Sequence, residues 1–253
     1  MLTYPFLQNG ATIGVTAPSS GVEKELHSLI ELAKQRLETQ GYQMVIGDTV
    51  WTQDKAKSAS AKQRATELQA MMQDDNIDMI IPPWGGELLL EILPYLAFDL
   101  FKPKWILGYS DLSGLLLAMT LTTGIATAHG TNFVDLRGEY IDDTTAMWLQ
   151  CVQTKTGESV TQFSSNMYQE KWKFDEPSPY VFHFTKPTYW KSIPSQSIEI
   201  TGRLLGGCID IIRHLIGTPF GNVHQFREKF IPNEPVIWIW KTVIFIRQNY
   251  VEP

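Results

Sequence analysis

The chain has 253 residues, 43% of them hydrophobic, which is enough for one large domain or two modest ones with a sizeable core. Its formal net charge of -6 argues against a nucleic-acid partner, because phosphate binding needs a basic face. Cys151 and Cys208 are too few for a disulfide framework and are expected to be reduced. The first residues lack the charged and apolar regions of a secretory signal, and no stretch reaches transmembrane length, so a cytoplasmic protein is expected.

In chain order, Ala11 to Ala17 is a short apolar run that ends in Pro18-Ser19-Ser20. Ser20 and Glu23 have the spacing of a capping box, which predicts a helix start there. Val22, Leu26, Leu29, Ile30, Ala33 and Leu37 then recur at helical spacing until Gly41. Met44 to Ile46 reads as a strand. Ser60 and Gln63 offer a second capping box, with a helix from Ala61 to Met72.

Met79-Ile80-Ile81 is a buried strand, broken by Pro82-Pro83 and then by Gly85-Gly86. Glu87 to Leu93 reads as a short helix stopped by Pro94, and Trp105-Ile106-Leu107 as another strand. Leu112 to Leu121 is an apolar helix closed by Gly124, and Ile125 to Ala128 a last strand. Strands alternating with helices imply right-handed crossovers and a parallel sheet covered on both faces, an α/β/α arrangement.

From Asp142 to about Ser197 the sequence turns polar and aromatic and reads as linker and loops. A further region opens at Ile198 and runs through Gly206-Gly207-Cys208 into a helical pattern over Ile209 to Ile216. The expected division is an N-terminal α/β/α domain over residues 1–145, a linker over 146–197 and a second domain over 198–253.

In an open parallel sheet, ligands bind at the carboxyl ends of the strands. Four turns follow predicted strands: Ala17-Pro18-Ser19-Ser20, Trp84-Gly85-Gly86-Glu87, Gly108-Tyr109-Ser110-Asp111 and His129-Gly130-Thr131-Asn132. A serine on a tight strand-to-helix turn projects its hydroxyl, and backbone N–H groups nearby can hold an oxyanion. Gly108-Tyr109-Ser110 resembles such an elbow but lacks its second glycine. The plainer alternative is that Ser110 or Asp111 only caps the next helix. Gly85-Gly86 suits an oxyanion donor or any tight turn. His129 fits a base, a ligand or a hydrogen-bonded structural histidine. No Walker loop, GxGxxG or CxxC pair is present, and the histidines have no metal-ligand spacing.

IGVTAPSS, SASAKQRATELQAMMQDDNIDMII, a Gly-Gly turn, GYSD, AHG and GRLLGGCIDIIRHLIGTPF occur in an order that resembles the LD-carboxypeptidases, serine peptidase family S66. The GRLLGGC wording is similar to the branch that includes microcin-immunity peptidases. The resemblance implies an α/β/α domain joined to a smaller β-rich C-terminal domain, with a Ser–His–Glu triad at their junction. It implies Ser110 as nucleophile and the N–H groups of Gly86 and Asp111 as the oxyanion hole. Gly85, Tyr109 and His129 are expected to touch substrate. The substrate is expected to be a murein peptide or a peptidyl-nucleotide antibiotic, without cofactor, metal, nucleic acid or membrane, and a homodimer is allowed for.

The end of the chain departs from that pattern. Pro235-Val236-Ile237-Trp238 resembles the strand that leads to the glutamate, yet Ile239-Trp240-Lys241-Thr242 follows with no Glu in place. Permitted codons for Ile239 to Pro253, read one base out of frame, give x-LENCDFHSAELCRT, whose Glu falls where the triad glutamate belongs. A single-base deletion after Trp238 and an inactive, incomplete second domain are therefore expected. An intact frame on resequencing of the locus would sink that reading. The apolar tail Val243-Ile244-Phe245-Ile246 would make an aggregation-prone edge. The rival reading is a non-catalytic flavodoxin-like module that binds a small ligand at the same strand ends.

Overall fold

A computed structural model describes residues 1–241 except 172, 174, 175, 177 and 194. The expected apolar tail, Val243-Ile244-Phe245-Ile246, and Trp172 lie outside the described residues. The N-terminal part is built on a five-stranded parallel sheet. Its strands are β1 (Thr12–Val15), β2 (Gln43–Ile46), β3 (Met79–Ile80), β4 (Trp105–Gly108) and β5 (Ala128–His129), in the order β2-β1-β3-β4-β5.

Side chains on the central strands point alternately to the two faces. Ile13, Val15, Met79, Ile81, Trp105 and Leu107 pack into one core and Ile80 and Ile106 into another. The first core is closed by α1 (His27–Thr39) through Ile30, Ala33 and Leu37. The second is closed by α2 (Ala61–Gln73) and α3 (Leu112–Thr123), among others through Leu68, Met72, Leu115 and Met119. This is the expected α/β/α sandwich. Leu112 to Leu121 are all buried, which explains why that helix is apolar around its whole circumference.

The Ser60–Gln63 capping box forms as expected: Ser60 Oγ accepts from the Gln63 N–H, and the Gln63 side chain reaches back. The Ser20–Glu23 box does not form. Ser20 Oγ donates to the Ala56 carbonyl, and Glu23 makes no side-chain cap. Gly21 is the reason: a Cβ there would lie 1.9 Å from the Thr52 carbonyl oxygen, so the chain is pressed flat against that loop. A 3-10 turn at Lys24–Leu26 leads into α1 instead. The expected helix at Glu87 to Leu93 is a 3-10 segment, Leu89–Tyr95, and takes in Pro94.

Residues read as loop after Asp142 include α4 (Asp143–Val152), whose Trp148 and Val152 are buried in the α1-side core. Beyond it, β6 (Met167–Tyr168) and β7 (Lys186–Pro187) form a small exposed antiparallel pair. The last elements are β8 (Arg203–Cys208), α5 (Ile209–Ile212), α6 (Val223–Phe230) and β9 (Val236–Lys241). β8 and β9 pair in parallel, Arg203 opposite Val236 through Cys208 opposite Lys241. Leu205, Ile212 and Phe226 extend the α3-side core, and Ser113 Oγ on α3 accepts from the Cys208 N–H at 2.9 Å. Among the described residues, no helix is long and apolar enough to cross a membrane.

Candidate active site

The chain reverses direction across the sheet between β1 and β3, since β2 lies on one side of β1 and all later strands on the other. That reversal opens a crevice at the carboxyl ends of the two strands. The Ser19–Ser20 and Gly85–Gly86 turns sit there, with the Ser110 turn beside them at the end of β4.

Ser110 has φ +70, one of two non-glycine residues with positive φ among the described residues. A left-handed serine between a strand and a helix is strained, and it aims the side chain away from both elements. Gly85 makes room for it, and Gly86 makes room for the Ser19–Ser20 turn. A Cβ on Gly85 would lie 2.6 Å from Ser110 Cβ, and one on Gly86 2.4 Å from Ser19 Oγ and Ser20 Oγ. Ser110 shares a cleft of about 450 Å³ with Ser20, Gly21, Glu23, Leu26, Gln53, Trp84, Gly85, Tyr109 and Asn132. Glu23 is the charged side chain in that lining.

Asp111 occupies the N-cap position of α3 but makes no side-chain bond to that helix. The helix-capping alternative therefore does not describe it. Its carboxylate, in a residue 1% exposed, turns toward the other two turns. Oδ2 accepts from Ser19 Oγ at 2.5 Å and from the Leu89 N–H at 3.3 Å, and Oδ1 accepts from the Gly86 N–H at 2.8 Å. The Gly86 N–H, expected in the oxyanion hole, is thus engaged by Asp111 in this state. Burial pushes the Asp111 carboxyl above its ordinary range, against the bonds from Ser19, Gly86 and Leu89 and the charge of Arg64.

Arg64 stands behind these turns, fully buried. It donates to the carbonyls of Pro18 at 2.7 Å, Leu88 at 2.9 Å and Ala59 at 3.0 Å, and to Glu91 at 2.7 Å. On the other side of Ser110, Asn132 Oδ1 accepts from the Tyr109 N–H at 3.1 Å, and Asp135 accepts from the Asn132 N–H at 3.1 Å. Tyr109 also hydrogen-bonds Asp135, and its phenol is pushed up by burial and by that carboxylate. Burial raises Asp135 to about 6, opposed by its hydrogen bonds and by Arg137 and Lys241. Ser19, Arg64, Asn132 and Asp135 were not singled out from the sequence. Only their places beside predicted strand ends or on a predicted helix gave any signal.

His129 stands apart from the group expected around Ser110. Its Nε2 lies 3.2 Å from Ser113 Oγ, and it lines a separate cavity of about 500 Å³ with Arg203 and Lys241. Its side chain leaves the end of β5 toward α3 and β8, where a Cβ on Gly207 would lie 3.5 Å from the imidazole ring, rather than toward the cleft. Burial and the Lys241 ammonium push the imidazole down to about 4, although the residue's exposed surface lets solvent screen part of that. Lys241 Nζ itself sits 4.4 Å from the Tyr109 ring centroid. Among the described residues, no hydrogen bond reaches Ser110 Oγ, and no cluster of three or more His, Cys, Asp or Glu could hold a metal ion.

Residues 13–130 match the family model of the LD-carboxypeptidase N-terminal domain. Over 228 residues the chain is 29% identical to a Vibrio cholerae protein provisionally named a carboxypeptidase, covering 87% of this chain and 66% of that protein. Over 133 residues it is 29% identical to the Microcin C7 self-immunity protein MccF of Escherichia coli, covering 52% of this chain and 38% of that one. The crystal structure of an MccF-like protein from Bacillus anthracis shares the fold with a TM-score of 0.73 at 28% identity, covering 86% of this chain and 65% of that one. The matched part of the chain therefore spans at most 66% of the length of these relatives. The part of the chain that carries the Ser110 elbow, residues 13–130, is thus similar to an LD-carboxypeptidase N-terminal domain.

Proposed function

We propose that this chain carries the nucleophile half of a cytoplasmic serine amide hydrolase. Ser110 Oγ attacks the carbonyl of a small peptide or peptidyl-nucleotide amide, the amine leaves, and water releases the acyl group from Ser110. The observation that carries this reading is the left-handed Ser110 elbow, packed against Gly85 at the mouth of the β1–β3 crevice. A pure binding module has no need of such strain, whereas a nucleophile must be exposed and fixed.

The Asp111 N–H, at the start of α3, makes no hydrogen bond among the described residues and is the donor best placed for an oxyanion. The Gly86 N–H joins it only if Asp111 releases it. A serine without a base is a weak nucleophile. Lys241 occupies the place where the restored frame would put a glutamate, and it lies over Tyr109 rather than bonding a histidine. Our reading is that the frame-restored protein turns over and that the chain as written is far slower.

The substrate class rests on the names of the relatives. One is a microcin self-immunity protein, and MccF has been solved in complex with aspartyl sulfamoyl adenosine. Both the chain as written and the frame-restored protein are to be treated with a fluorophosphonate probe, followed by mass spectrometry of the Ser110 peptide and by assays on a murein tetrapeptide and an aspartyl-nucleotide amide. Labelling confined to Ser110, and lost in Ser110→Ala, is expected. Absence of label from the restored protein would overturn the reading, and turnover by the chain as written at the restored protein's rate would overturn its inactivity.

A further inference from the structure

We propose that the Asp111 carboxylate is a positioning residue that ties the turns after β1 and β3 to the Ser110 elbow, fixing the Gly85–Gly86 segment against the nucleophile. Its effect on catalysis rests on the reading of Ser110 as nucleophile; the tie itself does not.

An ionised carboxylate has about four acceptor sites and, once buried, must fill them to offset lost hydration. Asp111 fills three of them with donors from distant segments: Ser19 Oγ, 92 residues away, the Gly86 N–H and the Leu89 N–H. None comes from its own helix. The donors bracket the two turns that face Ser110 across the crevice, and Gly86 is also in contact range of Ser19 and Ser20. Arg64 holds the same two turns from behind, through Pro18 and Leu88.

The consequence reaches the nucleophile through Gly85. Its Cα faces Ser110 so closely that a displacement of the Gly86 peptide would move the wall of the cleft against Oγ. Asn is the informative replacement. Its single oxygen still accepts from the Gly86 N–H, but its amide nitrogen cannot accept from Ser19 or Leu89.

The test uses the chain as it stands and its frame-restored version, with Asp111→Asn and Asp111→Ala in each. Amide hydrogen exchange read by NMR is expected to quicken at Leu89 in Asp111→Asn, and at Gly86 and Leu89 in Asp111→Ala. The increase should be about tenfold or more, the equivalent of one charge-assisted hydrogen bond. Amides of β2 and α1 should be unchanged. If Asp111→Ala fails to fold, Ser19→Ala, which removes one donor, should show a smaller increase at the same amides. In the restored protein, the maximal rate of Ser110 phosphonylation in Asp111→Asn should fall about tenfold while the half-saturating probe concentration stays within about twofold, a split that general unfolding would not give. Unchanged exchange at Leu89 in Asp111→Asn overturns the tie. Unchanged phosphonylation with altered exchange overturns the positioning role. If Ser110 does not label even in the restored wild type, the hydrolase reading fails, and the exchange data alone decide whether Asp111 ties the turns.

Discussion

Gly85 and Ser110 are in direct opposition: a Cβ on Gly85 would fall 2.6 Å from Ser110 Cβ and 2.8 Å from Ser110 Oγ and Asp111 Oδ1. Real Cβ contacts are essentially never that short, and the nearest neighbour, Ser110 Cβ, is fixed by the backbone of a strained turn, so it cannot swing aside as the two oxygens could. Gly85→Ala should therefore destabilise by about 1–3 kcal/mol, as other overpacked sites do. It should also sharply slow phosphonylation of Ser110. Thermal unfolding and probe labelling check both, and a variant matching wild type in the two would show that the turn is looser than the geometry indicates.

Strain at Ser110 predicts a separation of stability from reactivity. A left-handed non-glycine residue costs about 1–2 kcal/mol, and glycine relieves this while giving back about 0.5–1 kcal/mol through a freer unfolded chain. Ser110→Gly should thus be more stable than Ser110→Ala by about 1 kcal/mol, although both lack the Ser110 hydroxyl. For a chain of this size that is roughly 2–4 °C in unfolding temperature. Calorimetry of the two variants side by side decides it: an alanine variant as stable as the glycine variant would mean that φ at 110 relaxes in solution.

How much of this was legible in the sequence depends on the range of each interaction. The Ser60–Gln63 capping box and the Gly124 helix stop are local, and both form as read, Gly124 at φ +74. The turns at the strand ends were also legible, because strand termini in a parallel sheet share one edge. The ties between those turns were not. Ser19 and Asp111 are 92 residues apart, and neither residue's neighbours reveal the contact. The Ser20–Glu23 pattern misled because a local rule met a tertiary constraint at Gly21. His129 was drawn toward Ser110 by motif order, whereas its strand end faces Ser113. α4 does carry a local signal: Asp142 accepts from the Thr145 N–H at 3.0 Å, an N-cap inside a stretch whose composition is polar.

Arg64 offers a test of long-range support for the site. Its pair with half-exposed Glu91 contributes little by itself. The bonds to the Pro18, Leu88 and Ala59 carbonyls are another matter, since Arg64 is fully buried and its bond to Pro18 is buried with it, the other two partly. Arg64→Met should cost about 3 kcal/mol or more and slow Ser110 labelling, although Arg64 does not line the cleft. Arg64→Lys should not restore either property, because a single ammonium cannot span the fork of acceptors. Full rescue by lysine in denaturant titration and labelling would reduce Arg64 to a simple charge.

Asp135 predicts a pH dependence with a definite sign. Burial raises its carboxyl from an ordinary 3.8 to about 6 in the folded chain. Between about pH 4 and 6 the folded state then keeps a proton that the unfolded state has lost, so this group's contribution to stability is complete below pH 4 and is lost as pH rises through 6. The loss is on the order of 3 kcal/mol. His129, held down toward 4, acts with the opposite sign, its contribution present above about 6.5 and lost as pH falls, so the wild-type profile is flatter than either group alone would make it. Asp135→Asn removes only the first contribution, while its amide still accepts from the Asn132 N–H and donates to Tyr109. The stability of the variant relative to wild type should therefore grow as pH rises from 4.5 to 7.5. Urea midpoints at a series of pH values measure this, and a difference that stays constant across the series would show that Asp135 does not titrate in that range.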